Sequence, residues 1–160
     1  MSDSLLNALL DGPFALSRRP IPMPGDLRRT WGIPLVVLIL GKSRGKRASI
    51  QKLHFLAHSI RTEAARTEVQ MVFEGTLKPS DIYVRVEPWL NRAIAFAKGA
   101  GLLEMEGGKG AQLTALGLKL FDALYTDNEV FSEEKEFLEI VSVKATERNI
   151  EKIMRMESAL

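Results

Sequence analysis

Residues 83–125 read YVRVEPWLNRAIAFAKGAGLLEMEGGKGAQLTALGLKLFDALY, and this stretch decides the fold. It opens on a short alternating run, Tyr83-Val84-Arg85-Val86. Pro88 follows and suits a first helical turn, where a missing N–H costs nothing. Leu90, Ala93, Ile94, Ala97 and Ala100 then recur at helical spacing, and Gly99 and Gly101 end the helix. Leu102-Leu103-Glu104-Met105-Glu106 reads as a strand, Gly107-Gly108-Lys109-Gly110 as a turn, and Ala111-Gln112-Leu113 as the return strand. Thr114 is placed to cap a closing helix that carries Leu116, Leu120, Phe121 and Leu124. Helix, hairpin, helix predicts the core of a winged helix, a fold used for binding more often than for catalysis.

Outward from that unit, the N-terminal side predicts more helix. Trp31 to Leu40 reads as a short buried helix with Pro34 near its start, although Val36, Val37 and Ile39 favour strand. Gly41 to Arg47 reads as a loop. Ser49 is placed to cap a helix whose apolar stripe is Ile50, Leu53, Ala57, Ile60 and Ala64. Val69, Val72 and Phe73 predict another short helix, closed at Gly75, and Thr76 to Asp81 a turn. The predicted architecture is mainly α: an extended arm over residues 1–30, a winged-helix domain over 31–126, and a C-terminal helical segment over 127–160.

The arm is extended because Pro20, Pro22 and Pro24 alternate with Ile21 and Met23. Its apolar residues Leu5, Leu6, Leu9, Leu10, Phe14, Ile21 and Met23 are costly to leave in water. Either the arm wraps its own domain or it docks on a partner; for the second, these residues and Trp89, on the helix after Pro88, are the candidate partner-binding residues. In the C-terminal segment, Ser132 is the expected cap, with Glu133 and Glu134 in the first turn. Phe137, Ile140, Val143, Ile150 and Met154 form the expected stripe, and Thr146 is a cap for a separate last helix.

Composition narrows the function classes. The 160 residues hold no cysteine, which leaves no disulfide, no thiol nucleophile and no thiolate zinc site, and fits a reducing cytoplasm. The longest apolar run, Ile33 to Leu40, falls well short of the roughly 20 residues a membrane span needs. No membrane association is expected. The net charge of +2 divides unevenly: residues 1–66 hold 11 Lys/Arg against 4 Asp/Glu, residues 67–160 hold 11 against 16. A basic front and an acidic back predict two faces with different neighbours, or a chance partition of solvated charge.

Four cations gather in Gly41-Lys42-Ser43-Arg44-Gly45-Lys46-Arg47. A phosphate-cradling loop would need a glycine five positions before the second glycine, and Val36 or Leu40 stands there. ATP binding is excluded on that ground. Lys42, Arg44, Lys46 and Arg47 stay candidate DNA- or anion-binding residues, with a solvated or acid-paired loop as the plainer alternative. His54 and His58 share a helix face at metal-ligand spacing, but Phe55 replaces the glutamate a zinc protease needs, so no metal is expected. No Gly-x-Ser-x-Gly turn is present. Nothing supports an enzyme, and no cofactor is expected.

The helix after Pro88 offers Asn91, Arg92 and Lys98 to DNA bases. Otherwise it is apolar nearly all round, so burial on more than one side is expected. Glu104 and Glu106 on the wing would repel phosphate. The unit reads as a protein-contact surface.

Pro88-Trp89-Leu90-Asn91-Arg92-Ala93-Ile94, Ala100-Gly101-Leu102-Leu103 and Leu113-Thr114-Ala115-Leu116-Gly117 together resemble the middle component of bacterial ABC-three-component systems, to which the Lamassu anti-phage defence complex belongs. The resemblance covers roughly residues 30–125 and includes the Pro34–Leu40 run, the basic loop and the helix after it. It implies a non-catalytic adaptor bridging an SMC/Rad50-like ATPase and an effector, often a nuclease, with DNA engaged mainly through the complex. It transfers no active-site residue. The alternative is a DNA-binding winged-helix transcriptional regulator.

Overall fold

A computed structural model describes residues 25–157, with side chains from Thr30 to Met156. Seven α-helices and a three-stranded antiparallel sheet make up this part, which is mainly α. The helices are α1 (Gly25–Lys42), α2 (Ile50–Ser59), α3 (Glu63–Glu74), α4 (Pro88–Gly99), α5 (Ala115–Thr126), α6 (Ser132–Val141) and α7 (Glu147–Glu157). The strands are β1 (Arg47–Ser49), β2 (Leu103–Glu106) and β3 (Gly110–Leu113), in the order β1-β3-β2.

The six residues Leu35 to Leu40 of α1 are all completely buried. A helix apolar on every side must lie in the middle of the fold, and α2, α4, α5, α6 and β3 all pack on α1. Each of those side chains contributes about 1.5–3 kcal/mol of burial. The helix starts at Gly25, six residues ahead of the expected Trp31. Residues 25–30, expected in the extended arm, are therefore helical, and Pro34 is an interior residue that breaks one backbone bond. The rest of the arm, including Leu5, Leu6, Leu9, Leu10, Phe14, Ile21 and Met23, lies outside the described residues.

The helix–hairpin–helix expectation holds in detail. Pro88 opens α4 at its first position, and Gly101 follows the helix at φ 72°. Thr114 Oγ1 accepts the Gly117 N–H at 3.1 Å and caps α5. Gly117 itself is needed because an added Cβ would stand 1.9 Å from the Leu102 carbonyl oxygen. β1 was not expected. Its three residues pair Arg47, Ala48 and Ser49 with Gln112, Ala111 and Gly110. The register turns Ala48, Ala111 and Met105 towards the core and Arg47, Gln112 and Glu104 outwards. The alternating run 83–86 joins no strand, although Val84 is buried and Tyr83 and Arg85 are exposed.

Three expectations need correction. The stripe assigned to α2 stops at Ile60, because the chain turns there and Thr62 caps a new helix through the Ala65 N–H, so Ala64 belongs to α3. Phe131, in the left-handed region at φ 54°, precedes α6, and Ser132 is its first helical residue rather than its cap. The C-terminal stripe also divides. Phe137 and Ile150 are buried, but Ile140, inside α6 and off its buried face of Phe137, Leu138 and Val141, is 50% exposed, and Val143, beyond the end of α6, is 82% exposed. Thr146 caps α7 as expected, accepting the Asn149 N–H at 3.2 Å. Phe137, Leu138, Val141, Ala145, Ile150 and Ile153 enter the same core cluster as α1. No described helix is long and apolar enough to cross a membrane.

Candidate functional site

The densest polar cluster joins the end of α2 to the start of α4. Its centre is Glu87, a buried residue directly before Pro88. Arg61 Nη1 donates to both carboxylate oxygens, at 2.8 and 3.0 Å. His58 Nδ1 donates to Oε1 at 3.2 Å and Trp89 Nε1 to Oε2 at 3.0 Å. Each oxygen thus receives two donors, the full complement of an ionised carboxylate. Burial pushes the Glu87 pKa up. The hydrogen bonds from Arg61 and His58, the Arg61 charge and the Trp89 bond together outweigh it and hold the carboxyl below its ordinary value.

His54 completes the cluster. The Glu87 backbone N–H donates to its Nδ1 at 3.3 Å, and its Nε2 faces Asn91 Oδ1 at 3.2 Å. A ring nitrogen that accepts carries no proton, so the neutral tautomer with hydrogen on Nε2 satisfies both contacts. The two histidines that share metal-ligand spacing therefore aim at a carboxylate, an amide oxygen and a backbone N–H. Among the described residues no three His, Asp or Glu side chains gather as a metal site. The cluster is a latch between two helices, with every member engaged.

Trp89, a candidate partner-binding residue, is half-buried. Its indole tilts against Trp31 with centroids 5.1 Å apart, and its N–H is committed to Glu87. The rest of α4 buries a single stripe: Leu90, Ala93, Ile94 and Ala97. Burial on more than one side, expected from its apolar composition, is not found. Asn91, Arg92, Ala95, Phe96 and Lys98 are exposed, and of these only Ala95 and Phe96 are apolar.

The four cations of the basic loop lie together but are not equally available. Lys42 Nζ meets Glu139 of α6 at 2.5 Å and stands 5.0 Å from the Tyr125 ring centre. Tyr125 donates its hydroxyl to the same carboxylate. Lys46 Nζ donates to the Gly41 carbonyl at 2.5 Å and lies over the Phe121 ring. Arg47 faces Glu106 at 3.7 Å. Arg44 alone of the four is exposed with no partner among the described residues. Gly41, the first residue of the loop motif, is helical. A Cβ there would overlap the Phe121 ring at 2.0 Å, so its glycine serves helix packing rather than phosphate approach.

A second acidic residue anchors the other end of α2. Glu147 accepts from the Ser49 N–H at 3.0 Å and the Ser49 hydroxyl at 2.6 Å, while that hydroxyl accepts the Lys52 N–H. Lys52 is itself buried. Desolvation lowers its pKa, and the nearby Glu147 charge only partly opposes the shift.

The sequence reading missed both carboxylate anchors. His54, His58 and Arg61, spaced i, i+4 and i+7, carried a hint of one polar face, but their partner is remote in sequence. Compared with protein-family models, with curated proteins and with solved structures, the chain matches none.

Proposed function

We propose that this chain is a non-catalytic adaptor that bridges an SMC/Rad50-like ATPase and an effector, in the manner of the middle component of an anti-phage ABC-three-component system, which would place it in the cytoplasm. The observation that carries the reading is apolar surface left in water on a fold whose polar cluster is internally satisfied. Tyr83 and Val86 are 70% and 66% exposed, and Val143 is 82% exposed beside half-exposed Ile140. These side chains stand outside the core, where a partner could cover them. The sheet order β1-β3-β2, with the hairpin directly after α4 and β1 between α1 and α2, supports reading α1, α2, α4 and the sheet as a winged helix into which α3 is inserted.

Glu87 supports the non-catalytic part of the reading. A carboxylate with four donors and a lowered pKa would have to break its own latch to take a substrate proton. Affinity purification of the tagged chain, co-expressed with the proteins encoded beside it, tests the function. The expected result is a stable complex containing a coiled-coil ATPase and a second subunit. Elution as a lone monomer, with both neighbours expressed and soluble, contradicts it.

A further inference from the structure

The outer face of α4 carries cations that nothing among the described residues neutralises. Arg92 and Lys98 are exposed and have no ion-pair partner among the described residues, and Arg85, just ahead of the helix, contacts only the Tyr83 ring, 5.9 Å away. Between Ile82 and Leu103 the sole acid is Glu87, buried and matched by Arg61. At about 100° per residue, Pro88, Ala95 and Gly99 run along the crest of the exposed side. Arg92 lies as close to that crest as Ala95, with exposed Phe96 beyond it, and Asn91 and Lys98 lie on the opposite flank. Small residues along the crest, with Arg92 close to it and Lys98 on the far flank, fit a helix lying in a groove walled by two phosphate strands. The major groove of duplex DNA is wide enough to admit one. A protein partner would instead favour a large apolar anchor at the centre. The helix is also held before any ligand arrives, by Pro88 at its start and by the Glu87 latch, so little ordering entropy opposes binding. The opposing features, Glu104 and Glu106, share the outward face of the sheet with Arg47, which faces Glu106 at 3.7 Å.

We propose that the outer face of α4, with Arg85 leading into it, is a contact surface for the phosphate backbone of duplex DNA, in place of the basic loop at residues 42–47. The assignment goes beyond the adaptor reading and does not depend on it. Fluorescence anisotropy of a labelled duplex of mixed sequence, titrated with the purified full chain from 50 to 200 mM salt, tests it. Binding is expected in the micromolar range at the lowest salt, with a slope of log affinity against log salt of about −2.7 for three phosphate contacts. The triple variant Arg85→Ala, Arg92→Ala, Lys98→Ala should lose at least about tenfold in affinity and most of that slope. All three positions are exposed, and an unchanged urea midpoint confirms that the variant is folded. Arg44→Ala with Arg47→Ala should lose less than about threefold. Absence of binding at 50 mM salt overturns the proposal. So does a triple variant that binds like wild type, or a loss that follows the loop variant instead. If polyglutamate binds and duplex does not, the face is a protein-contact surface and the proposal fails, whatever the co-purification experiment shows.

Discussion

Among the described residues, four cations of the first 66 residues and three of the rest differ in their partners. Lys42, Arg47, Arg61 and Arg66 all come from the first part, and each meets a carboxylate of the second: Glu139, Glu106, Glu87 and Glu133. Arg85, Arg92 and Lys98 come from the acidic part and meet no carboxylate among the described residues. Four carboxylates of the acidic part are thus joined to cations of the basic part. A cluster of lysine and arginine in sequence says how much charge a segment has, not how much remains available to a ligand.

The four cross-chain pairs also differ among themselves. Glu87 is a buried carboxylate with four donors, whereas Glu133, Glu139 and Glu106 pair at the surface. Removing Glu87 is therefore expected to have the largest effect. Glu87→Ala leaves Arg61, His58 and Trp89 without their acceptor and should cost about 2–3 kcal/mol, read as a lower urea midpoint with unchanged slope. A loss below about 0.5 kcal/mol would make the latch incidental.

The same group sets an acid limb. Its folded pKa lies below the ordinary value of 4.5, so its contribution is fully present above about that pH and is lost as pH falls through the folded value. Urea midpoints of wild type should drop in that window, and Glu87→Gln should flatten the drop. Lys52 gives the opposite slope. Burial lowers its pKa, so the folded state binds protons less well than the unfolded one and stability rises with pH towards 10.5. Lys52→Met should raise stability at neutral pH by about 1 kcal/mol and remove that rise. Smallest of all is the Lys42–Glu139 pair. A double-mutant cycle should give a coupling of about 0.5 kcal/mol that shrinks in high salt.

What the sequence made legible follows from how local each signal is. Pro88, the Gly107-Gly108 turn and the Thr114 cap lie within the elements they specify, so the helix–hairpin–helix unit could be read directly. β1 is only three residues long, too short for an alternation to register, and exists because β3 pairs with it. The latch could not be read, because Glu87 is 26 residues beyond Arg61 and nothing local marks the two as partners. The burial of α4 departs from its apolar composition for a different reason. Ala95 and Phe96 count as apolar in a periodicity argument, yet the stripe from Leu90 to Ala97 already fills the interface with α1. The same argument places Ile140 and Val143 inward, yet α6 buries only the face of Phe137, Leu138 and Val141, which leaves Ile140 outside, and it ends before Val143.

Those two residues bear most directly on the claim that the chain presents apolar surface to partners while keeping its polar cluster to itself. Ile140→Glu with Val143→Glu, introduced into the tagged chain and co-expressed with the neighbouring gene products, isolates that claim. The expected result is a stability unchanged within about 0.5 kcal/mol, as for exposed positions, together with loss of at least one co-purifying subunit. A variant that retains every partner at wild-type stoichiometry would contradict it.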